Sequence, residues 1–187
     1  VKNGIIIQNS NLPFKNFAIV KTIKETYDLP TYLDNDANVA TLGEFMFGAG
    51  KGTENMVFIT ASTGIGGGAV LNGKLFRGAT GNALEVGHTI VATEGPRCGC
   101  GNVGCAEAFG SGTAIGKRAK EAVASNVETT LKNYEDVTAK EVFKEAANGD
   151  RVAKNILETS LTYLGIAVAN TITNFDPEKV VIGGGVV

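Results

Sequence analysis

E-V-G-H-T-I-V-A-T-E-G-P-R-C-G-C-G-N-V-G-C-A-E, residues 85 to 107, contains the single histidine of the chain, His88, and all three cysteines, Cys98, Cys100 and Cys105, with Glu85 and Glu107 at its two ends. Four soft or borderline ligands in so short a window suit one ion. A tetrahedral zinc takes a Cys3His set, with Zn–S near ~2.3 Å and Zn–N near ~2.0 Å, and four protein ligands close the coordination shell. Such a metal would hold a loop in shape rather than activate water. Three thiols are an odd number for a disulfide framework, and a Cys-x-Cys pair near a histidine fits a metal site in a reducing cytoplasm better.

The rest of the composition narrows the classes around that loop. With 187 residues, 43% of them hydrophobic and 19% charged, the chain can bury a core as one domain or two packed lobes. A formal charge of -2 provides no basic footprint, so no nucleic-acid partner is expected. No apolar run approaches the ~20 residues that span a bilayer, so no membrane partner is expected either.

On the N-terminal side, Gly4–Gln8 reads as a short buried strand and residues 9–13 (N-S-N-L-P) as a turn. Asn16 is a plausible N-cap for a helix running to Tyr27, with Ile19, Val20, Ile23 and Tyr27 on one face. Thr31–Leu33 reads as a second strand that delivers the chain into D-N-D-A-N, residues 34 to 38, ahead of a helix over Ala37–Phe47. Asp36 has two readings there: the N-cap of that helix, or a carboxylate held at a strand-to-helix corner as a general base. Gly48–Asn55 is a glycine-rich connection and the candidate boundary between two lobes, 1–47 and 48–187. Met56–Thr60 reads as a strand entering A-S-T-G-I-G-G-G. Gly64, Gly66, Gly67 and Gly68 there suit either a phosphate cradle of backbone N–H groups, with the Thr63 hydroxyl beside it, or a tight hairpin turn. Asn72-Gly73 is a hairpin signal between Ala69–Leu71 and Lys74–Phe76.

On the C-terminal side, a helix starts at Ser111 or Gly112. Thr138 with Glu141 forms a capping box, and Asp150 caps a long apolar-striped helix. Asp176-Pro177 turns the chain into the strand Lys179–Ile182, which feeds Gly183, Gly184 and Gly185.

The order of D-N-D-A-N, T-G-I-G-G-G, E-x-G-H, C-x-C-G-x-x-G-C-x-E and V-V-I-G-G-G resembles the ROK family of bacterial sugar kinases and sugar-responsive repressors. Within it, N-L-P at residues 11–13 and the general run of residues look most like the bacterial glucokinases. The resemblance implies an α/β, actin-like ATPase (ribonuclease-H-like) two-lobe fold, present here in part, closing over a hexose and ATP with Mg2+. It implies Asp36 as catalytic base and Asn35, Glu85, His88 and Glu107 at the sugar. Thr63 and Gly64 would meet the ATP phosphates, and Gly183, Gly184 and Gly185 would lie beside the nucleotide. His88, Cys98, Cys100 and Cys105 would hold a structural zinc. A cytoplasmic homo-oligomer, dimer or tetramer, that phosphorylates glucose is the expectation, with a sugar-sensing repressor as the alternative.

Departures from the family pattern are also legible. Leu84 stands where the family commonly has glycine before the E-x-G-H glutamate, and Ser62 replaces another glycine of the loop. The family's Asp-x-Gly-x-Thr hairpin would precede Val1 and its C-terminal segment would follow Val187, so the 187 residues alone are expected to be inactive or nearly so.

Overall fold

Near-continuous burial along Met56–Ala61 builds the centre of the molecule, as the computed structural model shows for residues 4–8 and 13–187. In chain order the elements are β1 (Ile6–Gln8), β2 (Lys15–Phe17), α1 (Ile19–Tyr27), α2 (Asp36–Met46), β3 (Met56–Ala61), β4 (Ile65–Leu71) and β5 (Lys74–Phe76), followed by α3 (Ala106–Gly110), α4 (Gly112–Ala124), α5 (Ala139–Ala147), α6 (Arg151–Phe175) and β6 (Lys179–Gly183). β1 and β2 pair antiparallel, while β5, β4, β3 and β6 form one sheet in that order. Within this sheet β5, β4 and β3 are antiparallel neighbours, and β6 returns parallel to β3 through the helices.

The side chains of Val57, Ile59 and Ala61 point from β3 into a core shared with Ile115, Leu131, Val142, Leu157 and Leu164 of the helical layer. Each large aliphatic side chain fully buried there contributes about 1.5–3 kcal/mol. On the opposite face, α2 packs across the Gly48–Asn55 connection onto β3 and β4.

The glycine run follows the hairpin reading: a tight turn leads into a glycine-rich strand. Gly66, Gly67 and Gly68 all lie in β4, paired with Thr60, Ile59 and Phe58, and only residues 62–64 turn between β3 and β4. The reason for glycine is close packing on both faces. A Cβ at Gly68 would lie 2.3 Å from Thr41 Oγ1 of α2, and one at Gly67 would lie 2.9 Å from Val86 on the other side.

Three expectations are corrected. Thr31–Leu33 forms no strand, because no backbone among the described residues pairs with it. Asn16 caps nothing; it sits at φ 51 inside β2, and α1 begins after Ala18 without a side-chain cap. The cap of α2 is Asn35, whose extended backbone (ψ 145) precedes helical geometry at Asp36. The turn read over 9–13 and the N-L-P stretch fall, Pro13 apart, outside the described residues.

Other signals hold. Asn72 (φ 51) and Gly73 (φ 69) make the primed turn between β4 and β5. Ser111 caps α4, Thr138 and Glu141 form the capping box of α5, and Asp150 caps α6. None of the described helices is long and apolar enough to cross a membrane.

Candidate active site and metal-binding loop

The D-N-D corner is built by backbone hydrogen bonds. Asn35 Oδ1 accepts from Ala37 N (2.9 Å) and Asn38 N (3.2 Å), and Asp36 Oδ1 accepts from Ala37 N (2.9 Å). Asp36 thereby stands at the first helical position, where the partial positive charge of the helix end favours a carboxylate. Its side chain is exposed and lines a cleft of about 490 Å3.

Across that cleft lies Glu85. It is the central residue of a tight turn in which Val86 N donates to Leu84 O at 2.7 Å, and a short 3-10 turn, Val86–His88, follows it. Leu84 adopts φ 57, a left-handed geometry that glycine takes at no steric cost and a leucine rarely adopts. Glu107, at the start of α3, is the third carboxylate in the lining. Its Oε2 accepts from Ile65 N at 2.9 Å, so it also fixes the Thr63–Gly64 turn from below.

The turn itself is the meeting point of three cavities. Thr63 lines the carboxylate cleft, a second cavity of about 480 Å3 shared with His88 and Cys98, and a third of about 770 Å3. The third is walled by Gly112, Thr113 and Gly116 of α4, with Lys117, Lys120 and Gly185 also at its surface. Of the predicted glycines, Gly185 lines this third cavity, whereas Gly183 ends β6 against Phe58 and Gly184 (φ 111) packs on Ala61. The α4 wall was not singled out from sequence. Its signal is the S-G-T-A-I-G run at residues 111–116, which puts two glycines on one helical face.

His88 turns away from the carboxylate cleft. Its Nδ1 lies 3.6 Å from Cys98 Sγ, and Cys100 Sγ lies 3.6 Å from Cys105 Sγ. The four ligand atoms of His88, Cys98, Cys100 and Cys105 all lie within 4.8 Å of one another. A zinc tetrahedron with ~2.3 Å bonds has S···S edges of about 3.8 Å, so the donor set and its spacing fit that ion. The loop is shaped for the purpose by its backbone: Cys98 N donates to Asn102 O, Gly101 N donates to Cys98 O, and Cys105 bridges to Ile90. Burial pushes the Cys105 thiol up to about 12, whereas the Asn102 backbone N–H holds the exposed Cys100 thiol below its ordinary value. A cation is what would draw both into thiolate form.

The family model described as ROK family matches residues 1–187. A glucokinase of Halalkalibacterium halodurans is 42% identical over 188 residues, covering 98% of this chain and 57% of its own length. A xylose repressor of Caldicellulosiruptor bescii is 34% identical over 97% of this chain and 46% of its own. Among solved structures, a ROK family glucokinase from Streptomyces griseus in complex with glucose and AMPPNP superposes with a TM-score of 0.83 at 34% identity, over 99% of this chain and 62% of that one. The fold is thus the α/β, actin-like ATPase fold, of which the chain spans somewhat more than half the length of these kinases.

Proposed function

The chain belongs to the ROK family, and from that premise we propose that it carries the sugar site and part of the nucleotide site of an ATP-dependent hexose kinase, with glucose as the acceptor and glucose 6-phosphate as the product. The observation that carries the reading is the Thr63–Gly64 turn, which lies at the junction of a cleft rich in carboxylates and a larger cavity bordered by glycines and lysines.

In that cleft Asn35, Asp36, Glu85 and Glu107 would bind sugar hydroxyls, carboxylates being strong acceptors. Asp36 would take the proton of the attacking hydroxyl as its oxygen bonds the γ-phosphorus and ADP departs. Thr63 and Gly64 would orient the phosphates, and the α4 glycines with Gly185 would lie against the nucleotide. Mg2+ would accompany the triphosphate and offset its charge, so the protein's share of the rate is positioning and proton removal.

The Cys3His set of His88, Cys98, Cys100 and Cys105 would hold zinc as a structural ion. When bound, the metal ties the E-x-G-H segment to the start of α3. Glu85 and Glu107 are then held from one rigid loop. The protein would work in the cytoplasm as a homo-oligomer, a dimer or tetramer.

The 34% identity to a xylose repressor supports a second reading, in which the same cleft senses a sugar for a transcriptional regulator. A panel of glucose, N-acetylglucosamine, N-acetylmannosamine and fructose with ATP, run on the full-length gene product, separates the two. Stoichiometric ADP release with glucose preferred supports the kinase. Sugar-dependent DNA binding without ADP release would establish the repressor.

A further inference from the structure

We propose that Asp34 and Arg77 are a pair of positioning residues that set the separation of Asp36 and Glu85 across the cleft; the proposal rests on the hexose-kinase reading of that cleft. Neither residue touches the space where sugar would lie, and neither figures among the residues the family resemblance assigns.

The geometry is a two-sided grip. Asp34 Oδ2 accepts from Arg77 Nη2 at 2.7 Å and from Arg77 Nε at 2.9 Å. Its other oxygen, Oδ1, accepts from Asn35 N at 2.8 Å and from the Nδ2 of buried Asn38 at 2.9 Å. The carboxylate is thus fixed from the corner by one oxygen and presents the other to the guanidinium. Burial pushes its carboxyl up, but the Asn38 amide, the Asn35 N–H and Arg77 together outweigh this and hold it below the ordinary aspartate value.

Arg77 is the first residue beyond β5, and Ala83 N donates back to Arg77 O at 3.3 Å, closing the segment 77–83 at its base. Leu84 and Glu85 follow at once. Three residues of this connection, Gly78, Gly81 and Leu84, have positive φ, so its path depends on backbone turns rather than regular pairing. Among the described residues, the Arg77 fork on Asp34 is the hydrogen-bonded link between the D-N-D corner and that connection.

Arg77 is 52% exposed at its side chain, and ion pairs so placed add little to global stability. Positioning is far more sensitive: a displacement near 1 Å at reacting groups lowers rates by about 100-fold. Loss of the fork should therefore be felt in chemistry and sugar affinity before it is felt in unfolding.

The test compares Arg77→Met, Arg77→Lys, Asp34→Asn and the Asp34→Asn/Arg77→Met double variant in the full-length gene product, reading kcat, KM, glucose affinity by calorimetry and Tm. Arg77→Met is expected to keep Tm within about 3 °C, to lower kcat at least about tenfold and to weaken glucose binding about three- to tenfold. The double variant should be no worse than the poorer single one, since both remove one interaction. Lysine should restore only part of the loss, because an ammonium cannot present the planar fork. Wild-type kcat and affinity in Arg77→Met, or losses that merely follow a fall in Tm, would overturn the proposal. A parent that binds glucose without phosphorylating it defeats the kinase reading alone, since the affinity readout still tests the pair. A parent that does neither defeats both.

Discussion

Glu107 divides its carboxylate between two tasks: Oε2 is committed to the Ile65 N–H, and the rest of the group faces the cleft. Glu107→Ala should therefore weaken glucose and ATP together, each about tenfold, whereas Glu107→Gln, which keeps an acceptor for Ile65, should weaken glucose alone. Separate KM determinations for the two substrates check this. Leu84 is the strained residue beside the site, at φ 57 with its side chain packed against the core. Leu84→Gly trades relief of about 1–2 kcal/mol of left-handed strain against lost apolar burial and should change stability by no more than about 1 kcal/mol. Leu84→Val, β-branched and poorly suited to that geometry, should cost about 2 kcal/mol, as denaturant titration would show. The need for positive φ at Leu84 was legible in sequence because the E-x-G-H pattern marks that position. The Asp34–Arg77 link was not, because it joins residues 43 apart through side chains that carry no local signal.

At the scale of elements, legibility followed hydrogen-bond range. Caps at Thr138 and Asp150 were readable because each bond closes within three residues. The choice between phosphate cradle and hairpin at the β4 glycines was left open in sequence because those glycines answer to α2 and Val86, neighbours distant along the chain. Thr31–Leu33 has a strand-like composition but no partner among the described residues, and only the fold reveals that. Asp150 also has consequences for acid stability. Burial raises its carboxyl, but the Ala153 and Thr130 N–H groups and the hydroxyls of Thr129 and Thr130 outweigh that and bring it to about 2 from an ordinary 3.8. A depressed folded value means a stabilisation fully present above pH 3.8 and lost as pH falls toward 2. Asp150→Ala should cost about 1–2 kcal/mol at neutral pH and flatten the acid limb of the stability curve, measured by denaturant titration from pH 7 to pH 2.

For the whole molecule, the loop at residues 85–107 joins the sheet to the helical layer. Its cysteines and histidine were legible because the four ligands lie within one short window, and the structure brings all four within 4.8 Å. The resemblance put Glu85 and Glu107 at one site with Asp36, and the fold sets all three on the same cleft. Elemental analysis should find one zinc per chain. Removing it with a chelator should lower Tm and weaken glucose binding together, while metal-free protein of unchanged Tm and affinity would rule out a structural zinc. In the proposed reaction Asp36 takes the proton of a sugar hydroxyl during transfer from ATP. Its direct measure is kcat for glucose phosphorylation by the full-length gene product and its Asp36→Asn variant, alongside glucose affinity by calorimetry. The expected result is a fall in kcat of about 10²–10⁴-fold with affinity changed only a few-fold. A variant whose kcat stays within a few-fold of the parent would contradict it.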